Sequence, residues 1–379
     1  MFEKKSLAVI GITALALVFI VFLGVRHYGG NVSTLLHMDT DFGARHHVPS
    51  GLVLYQDGGY DGMLYFQVAR DLPALFLGGH PSLNSPYRFQ RILLPLLGYA
   101  VTLGHAQAFP MAFLIINLVA ALGALGLMLS LTKKISVHTF TITFNPAILV
   151  GILFSLTEPV SLFFIVLFFW LRRRNGDVIS VACIIALLLS LFARETTVFL
   201  IGLLFLWSLW QKRWKESILV LIPMALFVLW QYFLVIRLGA VAFQANGNIV
   251  VPPLVGPVSV LLWLTQGITT YRLSSVALMA FLFPLCGVLA LEWRKKRTQV
   301  NILCFLMTGL AITMLCMHEH MWGVITSIGR VVTPFYPVYT LYAAERDTKS
   351  LRVLSLLLIA LSVIAAIGIA LVRHPFVIS

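Results

Sequence analysis

Leu7 to Val25 reads LAVIGITALALVFIVFLGV, an unbroken apolar run that follows Lys4 and Lys5. About 20 apolar residues in a helix cross the hydrocarbon core of a bilayer. The run is too long for the central region of a signal peptide, and no small-residue cleavage site follows it. It reads as a membrane anchor whose N-terminus faces the cytoplasm. Runs of the same kind recur along the 379 residues, which are 60% hydrophobic and 11% charged. Ordinary globular domains are about 45–50% apolar and about 25% charged, so the composition argues against a soluble enzyme. The net charge of +13 does not indicate nucleic acid as a partner, because the basic residues punctuate apolar runs instead of lining a solvated face. Cys183, Cys286, Cys304 and Cys316 all lie inside apolar runs without CxxC spacing, which excludes a disulfide framework or zinc site as the organising element.

Further spans are expected over 109–131, 139–155, 159–171, 178–193, 196–211, 217–236, 275–291, 299–317, 326–343 and 351–371, with breaks near Asn145-Pro146 and Glu158-Pro159. With the anchor, this makes about eleven crossings in a single transmembrane domain, 1–379, with no separate soluble domain. Lys133-Lys134, Arg172-Arg173-Arg174, Lys212-Arg213, Arg294-Lys295-Lys296-Arg297 and the group Arg346, Lys349 and Arg352 fall on alternate loops, and every lysine lies on that side. The positive-inside rule makes that side cytoplasmic. The expected location is therefore the plasma (inner) membrane, multi-pass, with two long outer loops at 26–108 and 237–274.

Ionisable groups at a membrane boundary are candidates for function. In the first outer loop, Asp61 precedes Leu64, Val68, Leu72 and Leu75 at helical spacing, the pattern of an amphipathic surface helix. Asp61 stands near the helix start with Tyr65 one turn on, so it can serve as an N-terminal cap, as a carboxylate that accepts a proton from a substrate hydroxyl, or as both. Tyr87-Arg88-Phe89-Gln90-Arg91 places two arginines on one helical face. They either snorkel to headgroups or grip a phosphate or pyrophosphate through charge-assisted bonds. Thr157-Glu158-Pro159, Arg194-Glu195-Thr196 and Gly329-Arg330 recur at the outer ends of the expected spans, where an ion pair between helices is the structural alternative to a site. Asp39-Thr40-Asp41, with His37, His46 and His47 nearby, suggests oxygen ligands for a divalent cation such as Mg or Mn. His318-Glu319-His320 is not the HExxH zinc motif.

Together, Tyr60-Asp61-Gly62-x-x-Tyr65, Tyr87-Arg88-x-x-Arg91-Ile92-Leu93-x-Pro95, Leu156-Thr157-Glu158-Pro159, Ala193-Arg194-Glu195-Thr196 and Gly329-Arg330-Val331 resemble the GT-C superfamily of membrane glycosyltransferases. More narrowly, they resemble bacterial integral-membrane proteins of cell-surface glycopolymer formation. The resemblance implies an all-α polytopic bundle of about eleven transmembrane helices, with a long first extracytoplasmic loop carrying amphipathic helices. It implies transfer of a sugar, with inversion, from a polyprenyl-phosphate donor to a lipid-linked or glycan acceptor at the outer face, among membrane lipids. In that scheme Asp41 or Asp61 is the general base, and Arg88, Arg91, Arg194 and Arg330 bind the donor phosphate. Tyr60, Tyr65, Tyr87, Glu158, Glu195, His318 and His320 support the site or touch substrate, and Asp39 with Asp41 holds any metal. The rival readings are a transporter or flippase of lipid-linked sugars, which favours internal repeats that are not evident here, and a non-catalytic component of a polysaccharide assembly complex. Sugar, acceptor and oligomeric state stay open. The shared requirement is that these residues converge.

Overall fold

The computed structural model describes residues 4–56, 58–83, 85–241, 251–264, 270–295, 301–322, 325–372 and 377–378. The first part of the chain contains α1 (Lys4–Val25), α2 (Thr40–Arg45), α3 (Asp61–Leu77), α4 (Pro86–Phe89), α5 (Leu93–Thr102), α6 (Phe109–Thr132), α7 (Val137–Phe140), α8 (Pro146–Leu153) and α9 (Glu158–Arg174). It continues through α10 (Val181–Ala193), α11 (Thr197–Trp210), α12 (Trp214–Leu238), α13 (Val255–Leu264), α14 (Thr270–Lys295), α15 (Ile302–Leu315), α16 (Glu319–Trp322), α17 (Ile325–Val331), α18 (Phe335–Arg346) and α19 (Lys349–Val372). Three two-residue strands, β1 (Met38–Asp39), β2 (Leu54–Tyr55) and β3 (Val377–Ile378), make a small sheet. β2 pairs parallel with β1 and antiparallel with β3.

Among the described residues, four helices are long and apolar enough to cross a membrane: Lys4–Val25, Ala106–Thr132, Trp214–Leu238 and Lys349–Leu371. The expectation of about eleven helices able to cross is corrected to these four by length and composition. The GT-C-like polytopic bundle falls with it, and so does the multi-pass plasma-membrane location. The charge pattern presupposed that every loop changes sides, so it no longer assigns a cytoplasmic face. The physical reason is that composition registers apolar runs, whereas a crossing needs uninterrupted helix. α11 and α15 have 14 residues each, about 21 Å at 1.5 Å per residue, against a hydrocarbon core of about 30 Å.

The run expected over 139–155 is broken in the middle. α7 stops at Phe140, and Asn145 then takes the capping position of α8, its side chain accepting from the Ile148 N–H and donating to the Thr141 and Ile142 carbonyls, each 2.9 Å away. An Asn cap followed by Pro146 is a strong helix start. The run expected over 326–343 divides likewise into α17 and α18 at Thr333-Pro334.

The interior is built around α6, α9 and α10, which pack side by side. Asn117, fully buried on α6, donates to the Gly151 carbonyl (3.4 Å) and the Leu156 carbonyl (3.0 Å), so it covers backbone acceptors where α8 gives way to α9. α12 and α19 are the least covered of the four long apolar helices; Val228, Leu229, Leu356 and Ile364 remain exposed on them.

Gly62 fixes how the first turn of α3 meets this interior. A Cβ there would lie 2.3 Å from the Phe154 carbonyl oxygen and 2.8 Å from that of Leu36. No side chain can yield, because both obstacles are backbone. Gly62→Ala is expected to lower stability by about 1–3 kcal/mol through overpacking. Gly11→Ala on α1, where nothing lies within 4 Å, is the matched control and is expected to be neutral or slightly stabilising from helix propensity. Thermal unfolding of the two variants side by side checks the difference.

Candidate functional site

Five segments deliver charged or phenolic side chains to one place. Tyr60 occupies the capping position of α3 in an extended backbone, and its N–H donates to the His37 carbonyl at 2.9 Å. Asp61 is therefore the first residue of the helix and not its cap, which frees its carboxylate for other partners. Tyr87 and Arg88 lie on α4, with Arg91 in the turn after it. Glu158 opens α9, immediately before Pro159. Arg194 ends α10 in an extended conformation, and Glu195 and Thr196 lead into α11. Arg330 lies on α17.

A hydroxyl clip holds the second half of this arrangement. Ser161 of α9 and Ser190 of α10 lie 2.9 Å apart, and Ser190 lies 2.8 Å from Thr197 of α11. All three are fully buried. The clip sets the Arg194 turn against the start of α9. These hydroxyls were not singled out in the sequence; the available signal was polar residues inside otherwise apolar helices.

The side chains form one connected network. Arg88 Nη1 is 2.8 Å from Asp61 Oδ1, and Arg330 Nη2 donates to Asp61 Oδ2 at 2.9 Å. Arg330 Nε donates to Glu158 Oε1 at 2.7 Å, and Arg194 Nη1 lies 2.9 Å from the same oxygen. Arg91 makes a two-point contact with Glu195, with its Nε 2.7 Å from Oε2. The phenols complete the pattern. Arg91 donates to Tyr65 at 2.9 Å and also to Tyr87, and Arg330 donates to Tyr60 at 2.9 Å. The guanidinium carbons of Arg88 and Arg91 lie 5.0 and 4.5 Å from the Tyr87 ring centre, within cation–π range.

Arg88, Arg91, Arg194 and Arg330 thus face Asp61, Glu158 and Glu195, leaving one positive charge in excess. Burial opposes ionisation of Asp61, but Arg330, Arg88 and Arg91 outweigh it and hold the carboxyl well below the ordinary range. Against the same desolvation, Arg91 and Arg194 bring Glu195 from its ordinary 4.5 down to about 2. Glu158 is lowered in the same way, burial being outweighed chiefly by Arg330 and Arg194.

The network is closed on one side and accessible on the other. Glu158 is wholly buried and Arg194 is 4% exposed, whereas the Arg88 and Asp61 side chains are 20% and 21% exposed. On the buried side, Arg194 Nε and Nη1 have no hydrogen-bond partner among the described residues. Nη1 is near Glu158 Oε1 but poorly aligned for a bond. Thr157 Oγ1, Thr196 Oγ1 and Glu158 Oε2 also lack partners there.

Other sequence candidates stand apart. Asp39 caps α2, its Oδ1 accepting from the Phe42 N–H at 2.6 Å. Asp41 is exposed in the first turn of α2, its carbonyl accepting from Arg45 Nε at 3.2 Å. Neither carboxylate joins the arginine network among the described residues. No group of three or more His, Cys, Asp and Glu side chains among the described residues could hold a metal ion. The His318 carbonyl accepts from the Met321 N–H at 2.9 Å, opening α16, and the His320 side chain lies outside the described residues. Of the expected second loop, 242–250 and 265–269 also lie outside them, while α13 forms a helix within that range.

No family model matches this chain, and no curated protein or solved structure matches it either. The resemblance of five short motifs that gave the glycosyltransferase reading and its lipid-linked-sugar rivals implied a polytopic bundle of about eleven crossings. The fold does not have that architecture, and those readings are corrected here.

Two outcomes follow from the network. Arg330→Ala leaves a fully buried Glu158 short of a cation and is expected to destabilise by about 3–5 kcal/mol; Arg88→Ala, at the accessible edge, is expected to cost about 1 kcal/mol or less. Chemical denaturation separates the two. The lowered carboxyls also make stability pH-dependent. Because their folded pKa values lie below the unfolded ones, their contribution is complete above about pH 4.5 and is lost as pH falls toward 2. Glu195→Gln is expected to flatten the fall of the unfolding midpoint across that window.

Proposed function

We propose that the arginine network binds the phosphate group of an anionic ligand and that the protein acts as a binding protein for such ligands. The observation that carries this reading is Arg194, a buried guanidinium whose Nε has no hydrogen-bond partner and whose Nη1 meets Glu158 only as a 2.9 Å ion pair among the described residues. A buried unmet donor costs about 1–3 kcal/mol, and more when charged. An incoming phosphate offers several acceptor oxygens, and arginine matches that geometry with two-point bonds. The excess positive charge supports the same reading. Arg88, at the accessible edge, would meet the anion first, and the phenols of Tyr60, Tyr65 and Tyr87 hold the Arg330 and Arg91 guanidiniums in place.

The unmet groups also favour one kind of anion. Besides the donors of Arg194, Thr157 and Thr196, the atoms without partners among the described residues include an acceptor, Glu158 Oε2. A phosphate that keeps a proton, or an ester with a neighbouring hydroxyl, supplies a donor for that oxygen. Sulfate supplies none. Titration calorimetry at pH 6 with inorganic phosphate, a phosphomonoester and sulfate tests the assignment. Wild type is expected to bind phosphate or the ester at least about tenfold more tightly than sulfate, one charge-assisted hydrogen bond being worth about that factor. Glu158→Gln is expected to narrow that gap, and Arg194→Ala to abolish binding, with a cooperative unfolding transition showing that the variant, though less stable, still folds. Equal, weak heats for phosphate and sulfate, insensitive to Arg194→Ala, would overturn the reading.

A further inference from the structure

A cavity lies at the junction of the α6–α7 connection and the α18–α19 turn and shares no residue with the arginine network. It has a volume of about 490 Å³ and is lined by Lys134, Ile135, Ser136, Val137, Asp347 and Arg352. We propose that it binds a small organic phosphate, with Lys134 and Arg352 on the phosphate and Ile135 and Val137 against the carbon-bearing part.

The argument begins with what Asp347 does. Its Oδ1 accepts from Arg352 Nε and its Oδ2 from Arg352 Nη2, both at 2.8 Å. This two-point contact fixes the guanidinium plane. Of the five N–H groups of an arginine, it occupies two and leaves three uncommitted to Asp347. Asp347 Oδ1 is in turn 3.1 Å from Nε2 of His138, a fully buried ring whose Nδ1 lies 2.8 Å from Ser355 Oγ. Tyr339 continues the chain, its hydroxyl 2.9 Å from Ser355 Oγ. A buried relay from α7, α18 and α19 therefore anchors the carboxylate, and the carboxylate anchors the arginine.

Asp347 does not repel an anion as a lone carboxylate would, because its oxygens already face the His138 ring and the Arg352 guanidinium. Lys134 is exposed and adds three more N–H donors, and Ser136 adds a hydroxyl. Lys133, next to Lys134, and Lys349, in the first turn of α19, raise the local positive potential. Pockets of roughly 300–1,000 Å³ hold small organic ligands. This one is too roomy for a bare phosphate to fill, and its apolar wall has no use for one.

The phosphate could belong to a soluble phosphomonoester or to a lipid headgroup, since two of the helices long and apolar enough to cross a membrane end at this junction. The test uses the full chain carrying Arg194→Ala, so that binding at the arginine network does not contribute. Thermal stabilisation and calorimetry are measured with glycerol 3-phosphate, and sedimentation with vesicles of phosphatidylglycerol or phosphatidylcholine. Saturable binding of glycerol 3-phosphate supports a soluble ligand, and selective binding of phosphatidylglycerol vesicles supports a headgroup. In either case Lys134→Gln is expected to weaken binding about tenfold, the equivalent of one charge-assisted hydrogen bond. Arg352→Lys, which keeps the charge and loses the planar fork, is expected to weaken it by a similar factor. No binding in either arm, or binding unchanged in the Lys134→Gln and Arg352→Lys double variant, overturns the proposal. Intact unfolding transitions in both single variants exclude misfolding as the cause.

Discussion

A wholly buried carboxylate, Glu158, sits between Arg330 and Arg194, and the middle of the molecule is arranged around that constraint. Removing an ion from water costs several kcal/mol, and only well-placed countercharges offset it. Two arginines distant in the chain must therefore reach one oxygen. The start of α9, the extended turn after α10 and the α17 segment meet at that oxygen. The Ser161, Ser190 and Thr197 hydroxyls set the distance between two of them, and the phenol of Tyr60 orients Arg330. Asp61 then joins the network to α3 and α4, so that a loop-rich segment near the N-terminus is tied electrostatically to a helix near the C-terminus.

Much of this constellation was legible in the sequence, for a physical reason. Charged residues are scarce in an apolar chain, and those that are buried have to find one another. Asp61, Arg88, Arg91, Glu158, Arg194, Glu195 and Arg330 were all singled out, and all of them meet. The pairing was not legible: nothing in the spacing says that Arg91 chooses Glu195 while Arg88 chooses Asp61. Nor could the sequence distinguish Asp39 as a helix cap from Asp39 as a metal ligand, since short carboxylates serve both purposes.

The fold was harder to read, because a short buried helix and a bilayer-crossing helix are made of the same residues. What separates them is where the helix stops. Asn145, Thr333 and Pro334 each interrupt a run whose average hydropathy conceals the interruption. The proline positions were visible, and the breaks near Asn145-Pro146 and Glu158-Pro159 lie where expected. Their effect on helix length decides which of the described helices are long enough to cross a membrane, and averaging over a window hides it. The charge asymmetry between alternate loops was real as a pattern, but its interpretation depended on the number of crossings.

Asn117 shows what such averaging overlooks. By composition α6 is a plain hydrophobic rod, interchangeable with any other of its length. Its one buried amide instead reaches two carbonyls of the segment where α8 gives way to α9, so α6 recognises one particular neighbour in one particular register. An apolar chain of this kind has many ways to pack greasy surfaces together, nearly equal in energy. A single amide with fixed acceptors makes one of those ways distinct. It does for an oily interior what a key pin does in a lock whose other pins are all cut to the same height.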